Sequence, residues 1–362
     1  RMRIYAQRDR VFAKQDLAED VEELVRQEVG RRVGEAAEGE EYWRLPVWLE
    51  QVQPTFSTPA GIYPSFTYRT LAAELDAVQN SGTDLKPALL DLAGEALEAE
   101  QAHVLALAAD QIDKAGAALE TQVGERKDAL DTFFDALKDN EEQPRPQQLL
   151  EEMQATARLP LRLDNEQLRL LADDPHAVRA DVEAQIETAM TGLAVTRLIG
   201  TLEYRLGESL GLAPAELQSL AWDEVAAQVE EAVSRTLDGR RERLLGADGQ
   251  IPRDLEAALE RLPDPVDEQA RLRLLALMAQ GSRTYFDTKT HRQMRQVFVR
   301  LNYVFLAGEL LRNTPGATLE TDILEHLQEA RAAQARTWGQ SEVNRLGDQA
   351  GEAGADEIGR NI

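Results

Sequence analysis

The sequence predicts an all-α fold, and three observations carry that prediction. Ala, Leu, Glu, Gln and Arg dominate, whereas aromatic residues make up only 5% of the chain, a balance that favours helix. Apolar residues recur at helical spacing, as in Leu17, Val21 and Leu24, which follow i, i+4, i+7. No segment alternates apolar and polar residues long enough to argue for a substantial sheet.

Taken in order, helix signals run from Arg1 to Val33 and weaken through Gly30, Gly34 and the acidic run Glu38–Glu41. Residues 44–68 hold four prolines among Trp48, Phe56, Tyr63, Phe66 and Tyr68, too aromatic for a free linker, and predict an ordered loop packed on a helical body. Thr67 or Thr70 opens a helix that ends near Asn80-Ser81-Gly82. Residues 84–139 read as two or more Ala- and Glu-rich helices, with Gly116 and Gly124 as candidate breaks, and are expected to form a protruding antiparallel hairpin. The clearest internal break is Glu141–Pro146. Short helices follow at 147–156 and 165–173, then longer ones from Asp174-Pro175 to Leu206 and from Ala213-Pro214 to Leu237. Proline suits the first helical turn because its missing N–H had no intrahelical partner there. Gly246–Pro252 and Pro263–Pro265 punctuate the next part, after which 266–280 and 283–312 read as helices. Asn313–Ala317 is a turn, Thr318 caps a helix to Trp338, and the tail beyond Gly339 frays.

With 65 acidic and 40 basic residues the net charge is −25, which gives sequence-independent nucleic-acid binding little electrostatic support. The absence of cysteine removes disulfides, thiolate nucleophiles and cysteine-based metal sites, and is compatible with a reducing cytoplasm. No apolar run approaches the roughly 18–20 residues that span a bilayer, so membrane association is expected to be peripheral. No Gly-x-x-x-x-Gly-Lys-Ser/Thr loop and no Gly-x-Gly-x-x-Gly is present, so no nucleotide or other cofactor is expected in this chain. Glu100-x-x-His103 and Asp173-x-x-His176 imitate the carboxylate–histidine unit of di-iron bundles. Solvated helix surface is the simpler account of both, and no metal or catalytic residue is assigned. Asp287 and His291 stand at i, i+4, a spacing that usually stabilises a helix.

One local charge reversal stands out. Arg283, Lys289, Arg292, Arg295 and Arg300 accompany a single acid, Asp287, within an otherwise acidic chain. Either acidic neighbours wrap this segment and the arginine stems cover apolar surface, or it is a docking surface for an acidic partner.

The opening segment adds a resemblance. Arg1, Ile4, Tyr5, Gln7, Arg8, Arg10, Val11, Asp16 and Leu17, followed by Glu41-Tyr42-Trp43-Arg44-Leu45-Pro46, resemble the scaffold helix of the SecA preprotein translocase motor. Tyr285-Phe286-Asp287, His291 and Asn302-Tyr303-Val304 are similar to that family's return helix. The Asn313–Gly316 turn lacks the family's tyrosine-bearing loop. The resemblance implies a first scaffold helix over 1–40, an aromatic loop and helical insertion over 41–145 and a wing-like bundle over 146–280. A second scaffold helix with a helical hairpin would occupy 283–340, and a frayed tail 341–362. It further implies a seam joining Tyr5, Val11 and Phe12 to Phe298, Leu301 and Phe305. On this reading the chain, which opens in mid-helix, is part of a longer protein whose other domains bind ATP and Mg. Its partners would be those motor domains, the preprotein, the membrane translocation channel and anionic lipid, at the cytoplasmic face of the cell membrane. A free-standing helical adaptor is the alternative from another class, and a carboxylate-rich enzyme a third.

Overall fold

A computed structural model describes residues 18–39, 41–138, 145–262, 266–289 and 291–350. Helices dominate, and the fold is all-α with two small two-stranded sheets. The chain divides into two compact units, one formed by residues 1–100 with 242–362 and the other by 101–241. The first unit combines two chain segments, and the second is one continuous segment.

In the first unit, α1 (Ala18–Glu38) and α2 (Arg44–Val52) precede a short hairpin, β1 (Phe56–Thr58) and β2 (Gly61–Tyr63), and α3 (Phe66–Asn80). The aromatic stretch 44–68 is therefore a helix and a hairpin instead of a loop; Phe56 and Tyr63 pair across the strands with their rings stacked 5.0 Å apart. Ser65 caps α3, its hydroxyl accepting the Tyr68 N–H. α4 (Leu85–Lys138) begins in this unit and continues into the second.

The second unit adds α5 (Pro146–Ala157), α6 (Asn165–Asp173), α7 (Arg179–Leu206), the short α8 (Pro214–Leu217) and most of α9 (Trp222–Leu245). Leu130 and Phe134 of α4 pack with Met153, Leu171, Val182 and Ile186 in one core. Ile112 packs with Val195, Leu198, Ile199, Val225, Val229 and Val233 in another. The helical hairpin expected over 84–139 does not form, because α4 runs unbroken through Gly116 and Gly124. A glycine costs a helix only about 1 kcal/mol relative to alanine, less than the packing of these flanks returns. Gly116 also has a packing role: a Cβ there would stand 2.9 Å from Cδ1 of Trp222 and closer still to its Nε1.

The chain then completes the first unit with α10 (Gln250–Leu259), α11 (Glu268–Ala279), β3 (Gln280–Asp287), β4 (Arg292–Val299), α12 (Val304–Arg312) and α13 (Gly316–Ala350). One core of this unit joins Leu71, Leu75, Leu89 and Ala93 to Ile251, Leu255, Leu272, Leu275 and Met278. The other joins Val29, Val33 and Ala36 of α1 to Leu45, Leu49, Leu311, Leu319 and Ile323. On α13, Leu319, Ile323, His326, Ala330 and Ala333 form a buried stripe at three- and four-residue spacing.

A third correction concerns 283–312, expected as one helix. Residues 280–299 instead form an antiparallel hairpin, and helix resumes only at Val304. The arginines and glutamines of 292–296 are good helix formers, but they are flanked by Thr284-Tyr285-Phe286 and Val297-Phe298-Val299, which prefer strand. The turn adds a local signal: the Asp287 carboxylate accepts the Lys289 N–H at 3.0 Å, and His291 adopts a left-handed φ of 52°. The i, i+4 relation read for Asp287 and His291 therefore does not exist in the fold.

Candidate binding surface

The β3–β4 hairpin is rooted firmly. α11 leads directly into β3, and α11 is itself tied down. Gln269 accepts the Ile62 N–H at 2.8 Å and donates to the Ile62 carbonyl at 3.0 Å, and Arg271 pairs with Asp76 at 2.8 Å. At the far end of β4, the Arg300 N–H donates to the Ala279 carbonyl at 2.7 Å. The Arg300 guanidinium, only 8% exposed, reaches Asp254 of α10 at 2.6 Å and lies 5.9 Å from the centre of the Phe298 ring. Phe298 crosses the ladder over Gly281, where a Cβ would stand 2.6 Å from Arg300 Nε. Leu301 and Tyr303 then enter the core; the Tyr303 hydroxyl donates to the Leu275 carbonyl at 3.1 Å, and burial holds its phenol well above the ordinary range.

Beyond that root the hairpin is exposed. Register pairs run from Gln280 with Val299 to Asp287 with Arg292. Because side chains alternate across a pleat, Phe286, Gln293, Thr284, Arg295, Ser282, Val297, Gln280 and Val299 share one face. Tyr285, Met294, Arg292 and Phe298 belong to the other. Val297 is 58% and Val299 65% exposed, and Phe286, Tyr285 and Met294 are exposed as well. So much open apolar surface on one short element is unusual away from an interaction site.

The five cations expected to form one docking surface separate here. Lys289, Arg292 and Arg295 are exposed, and among the described residues none of the three side chains forms an ion pair. Arg300 is buried in the root and is a structural residue, so it leaves the docking set. The backbone of Arg283 pairs with Gln296, while its side chain lies outside the described residues. The cluster therefore divides: Arg300 is buried and paired, whereas Lys289, Arg292 and Arg295 are open to solvent. The exposed apolar members, Val297 and Val299 above all, escaped sequence reading. The β-branched and aromatic run Val297-Phe298-Val299 is the strand signal that could have found them.

Of the expected seam, Tyr5, Val11 and Phe12 lie outside the described residues. Leu301 is buried in the α3–α11 core, Phe298 is half-buried against Arg300, and Phe305 packs on Trp43 with ring centres 5.7 Å apart. Leu301 and Phe305 thus adjoin one core, while Phe298 lies on the hairpin. α1 packs mainly on α13, and Val29 and Val33 share their core with Leu311 of α12, the C-terminal end of the segment 283–312.

A buried polar cluster, unforeseen in the sequence, joins α2, α3 and α13. His326 is 1% exposed; its Nε2 lies 2.6 Å from Gln53 Oε1, and its Nδ1 lies 3.4 Å from an Arg69 guanidinium nitrogen. Gln53 in turn donates to the carbonyls of Pro54 and Pro64, at 3.0 and 3.3 Å. Burial, and secondarily the Arg69 charge, push the His326 pKa down to about 4, so the ring is neutral at pH 7. With Nε2 donating to Gln53, the cluster fastens three elements and has no nucleophile or second base. Of the other histidines, His176 packs near Phe134 and His291 near Phe286.

Among the described residues no group of three or more His, Asp or Glu side chains could hold a metal ion, and no helix is long and apolar enough to cross a membrane. In comparisons with known proteins, the chain matches no protein-family model, no curated protein and no solved structure.

Proposed function

We propose that this chain is a non-enzymatic helical adaptor that holds a partner protein through the β3–β4 hairpin. One observation carries the proposal: a hairpin anchored by Arg300 to a buried core exposes both aliphatic and cationic side chains, in a chain whose net charge is −25. An adaptor needs a rigid platform and a surface whose apolar groups gain by being covered. The helical units supply the first and the hairpin the second. Lys289, Arg292 and Arg295 add selectivity, since their charge favours an acidic partner and repels a basic one. The translocase reading took its second support from a return helix at 283–312. A hairpin occupies 280–299 and helix begins at Val304, and the proposal rests on the exposed arm and not on that resemblance.

Site-specific photo-crosslinking in cells tests it. A crosslinking residue in place of Met294 should capture a defined protein, and the same residue in place of Tyr204, still more open to solvent on the other unit, should not. The double variant Arg292→Glu, Arg295→Glu should reduce the capture at 294 while leaving the thermal unfolding profile in place. Equal capture from both positions, indifferent to the charge reversal, would remove the proposal.

A further inference from the structure

Resting on that reading, we infer that the hairpin takes its partner by strand addition. An extended peptide segment, acidic at one end and aliphatic at the other, pairs with the outer edge of β4 as a third strand. The inference starts from main-chain geometry. In an antiparallel ladder, hydrogen-bonded and non-hydrogen-bonded pairs alternate. The Arg300 N–H bonds the Ala279 carbonyl, so Ala279–Arg300 is a hydrogen-bonded pair. The next such pairs are then Gly281–Phe298, Arg283–Gln296, Tyr285–Met294 and Asp287–Arg292. The residues between them on β4, Gln293, Arg295, Val297 and Val299, turn their N–H and C=O groups outward. No other described strand pairs with them, and the sheet has two strands only. Such an edge is a template for a further strand unless proline, a bulge or a covering element blocks it. β4 has no proline, and its pairs run in register without interruption.

The side chains say what kind of strand fits. Along β4 the charge lies toward the turn, on Arg292 and Arg295, and the exposed aliphatic surface lies toward the root, on Val297 and Val299. Arg295, Val297 and Val299 occupy the same face, and all three belong to the set whose main-chain groups point outward. A segment of about eight residues, spanning roughly 27 Å at 3.4 Å per residue, would match the strand end to end. Its carboxylates would stand beside Arg292 and Arg295, and its β-branched residues beside Val297 and Val299, as cross-strand neighbours do. β3 offers less, since its outward positions near the root are Gln280 and Ser282.

A peptide fits better than the other polyanions. The free edge presents donors and acceptors in turn, and only another peptide backbone presents the complementary series; a phosphate backbone can only accept. Three described exposed cations are also few against the six to ten phosphate contacts typical of nucleic-acid binders. Antiparallel pairing with a second copy of the same edge would set Arg295 opposite Val297, giving the guanidinium no carboxylate and the valine no aliphatic neighbour.

Fluorescence anisotropy on the intact chain provides the test, with two labelled eight-residue peptides. Each alternates threonine with valine in one half and threonine with glutamate in the other, and the two run in opposite chain directions. One of them should bind saturably and weaken with added salt. N-methylation of its alternate amides should weaken binding about tenfold in one phase and leave it unchanged in the other, since only one set of amides faces β4. Val297→Pro removes an outward N–H without touching the ladder to β3 and should cost a similar factor. If that variant disturbs the hairpin, the N-methylated peptides carry the test alone. Binding that is lost in the Arg292→Glu, Arg295→Glu variant yet indifferent to both N-methylation phases would overturn strand addition while the docking reading stands. No saturable binding of either peptide, with crosslinking at position 294 still observed, would do the same. Tighter binding of single-stranded DNA or of phosphatidylserine vesicles, or a dimer in sedimentation that Val297→Pro dissolves, would overturn it in favour of that occupant.

Discussion

His326 should make the first unit acid-sensitive well above the range in which its carboxylates titrate. The perturbation is a shift from pH 7 to pH 5. The folded pKa is about 4 against 6.5 for a free imidazole, because burial and the Arg69 guanidinium disfavour the charged ring. The other charged group near the cluster, Glu329, pairs only distantly with Arg69, at 4.0 Å, and does not offset this. A depressed histidine pKa means that between pH 4 and 6.5 the unfolded chain binds more protons than the folded one. Stability is then complete above about 6.5 and falls as pH drops toward 4. Integrated over the two pKa values, the loss between pH 7 and pH 5 is about 2 kcal/mol. The sign is opposite to that of a histidine paired with a carboxylate, whose contribution would grow on acidification. Urea unfolding of the wild type and of His326→Gln, at both pH values, measures it. The glutamine retains a donor for Gln53 but has no proton to gain. The wild type should lose about 2 kcal/mol more than the variant over this interval, and the His326 imidazole proton signal should show no titration above pH 5. Equal losses in the two proteins, or an NMR titration midpoint near 6.5, would refute the argument that His326 is buried and neutral.

Two further outcomes follow from the packing. Gly116→Ala should destabilise the second unit by about 1–2 kcal/mol, the clash with the Trp222 indole exceeding the gain in helix propensity, whereas Gly124→Ala, with open space at its Cβ, should stabilise it by about 0.5–1 kcal/mol; thermal unfolding of both variants decides. Asp254→Ala removes the acceptor of a buried guanidinium and should cost about 2 kcal/mol. Amide exchange should then quicken in the hairpin root around Gly281 and Phe298 before it does in α1 or α13.

What the sequence disclosed and what it withheld divide along a physical line. Helices with local punctuation were legible: α6 falls on the expected 165–173, α5 within a residue of 147–156, and Pro214 opens α8 as the first-turn rule requires. Glycine proved a poor guide within α4, since Gly116 answers to a tryptophan more than a hundred residues away and Gly124 to nothing at all. Position 283–300 failed for a related reason. Its middle is written in helix-forming residues, and strand pairing is a contact between two segments, so a window on either one alone favours helix. The His326 cluster was illegible altogether, because Gln53 and the histidine are separated by 273 residues and nothing near either betrays the other.

The same failure bears on the binding surface. Read as a helix, the cations of 283–300 would have spread around its circumference, and only their sum would have mattered. On a hairpin they acquire an order: Arg300 is drawn into the root by Asp254, Arg292 and Arg295 stand near the turn, and Val297 and Val299 lie between. Charge at one end of a strand and aliphatic surface at the other give a partner both a direction and a register, which neither net charge nor composition can supply. The buried arginine matters as much as the exposed ones, since without it the free edge would have no fixed position on the body that offers it. The specificity proposed for this chain thus originates in the strand pairing that its local sequence disfavours, and is held there by a salt bridge that its composition does not single out.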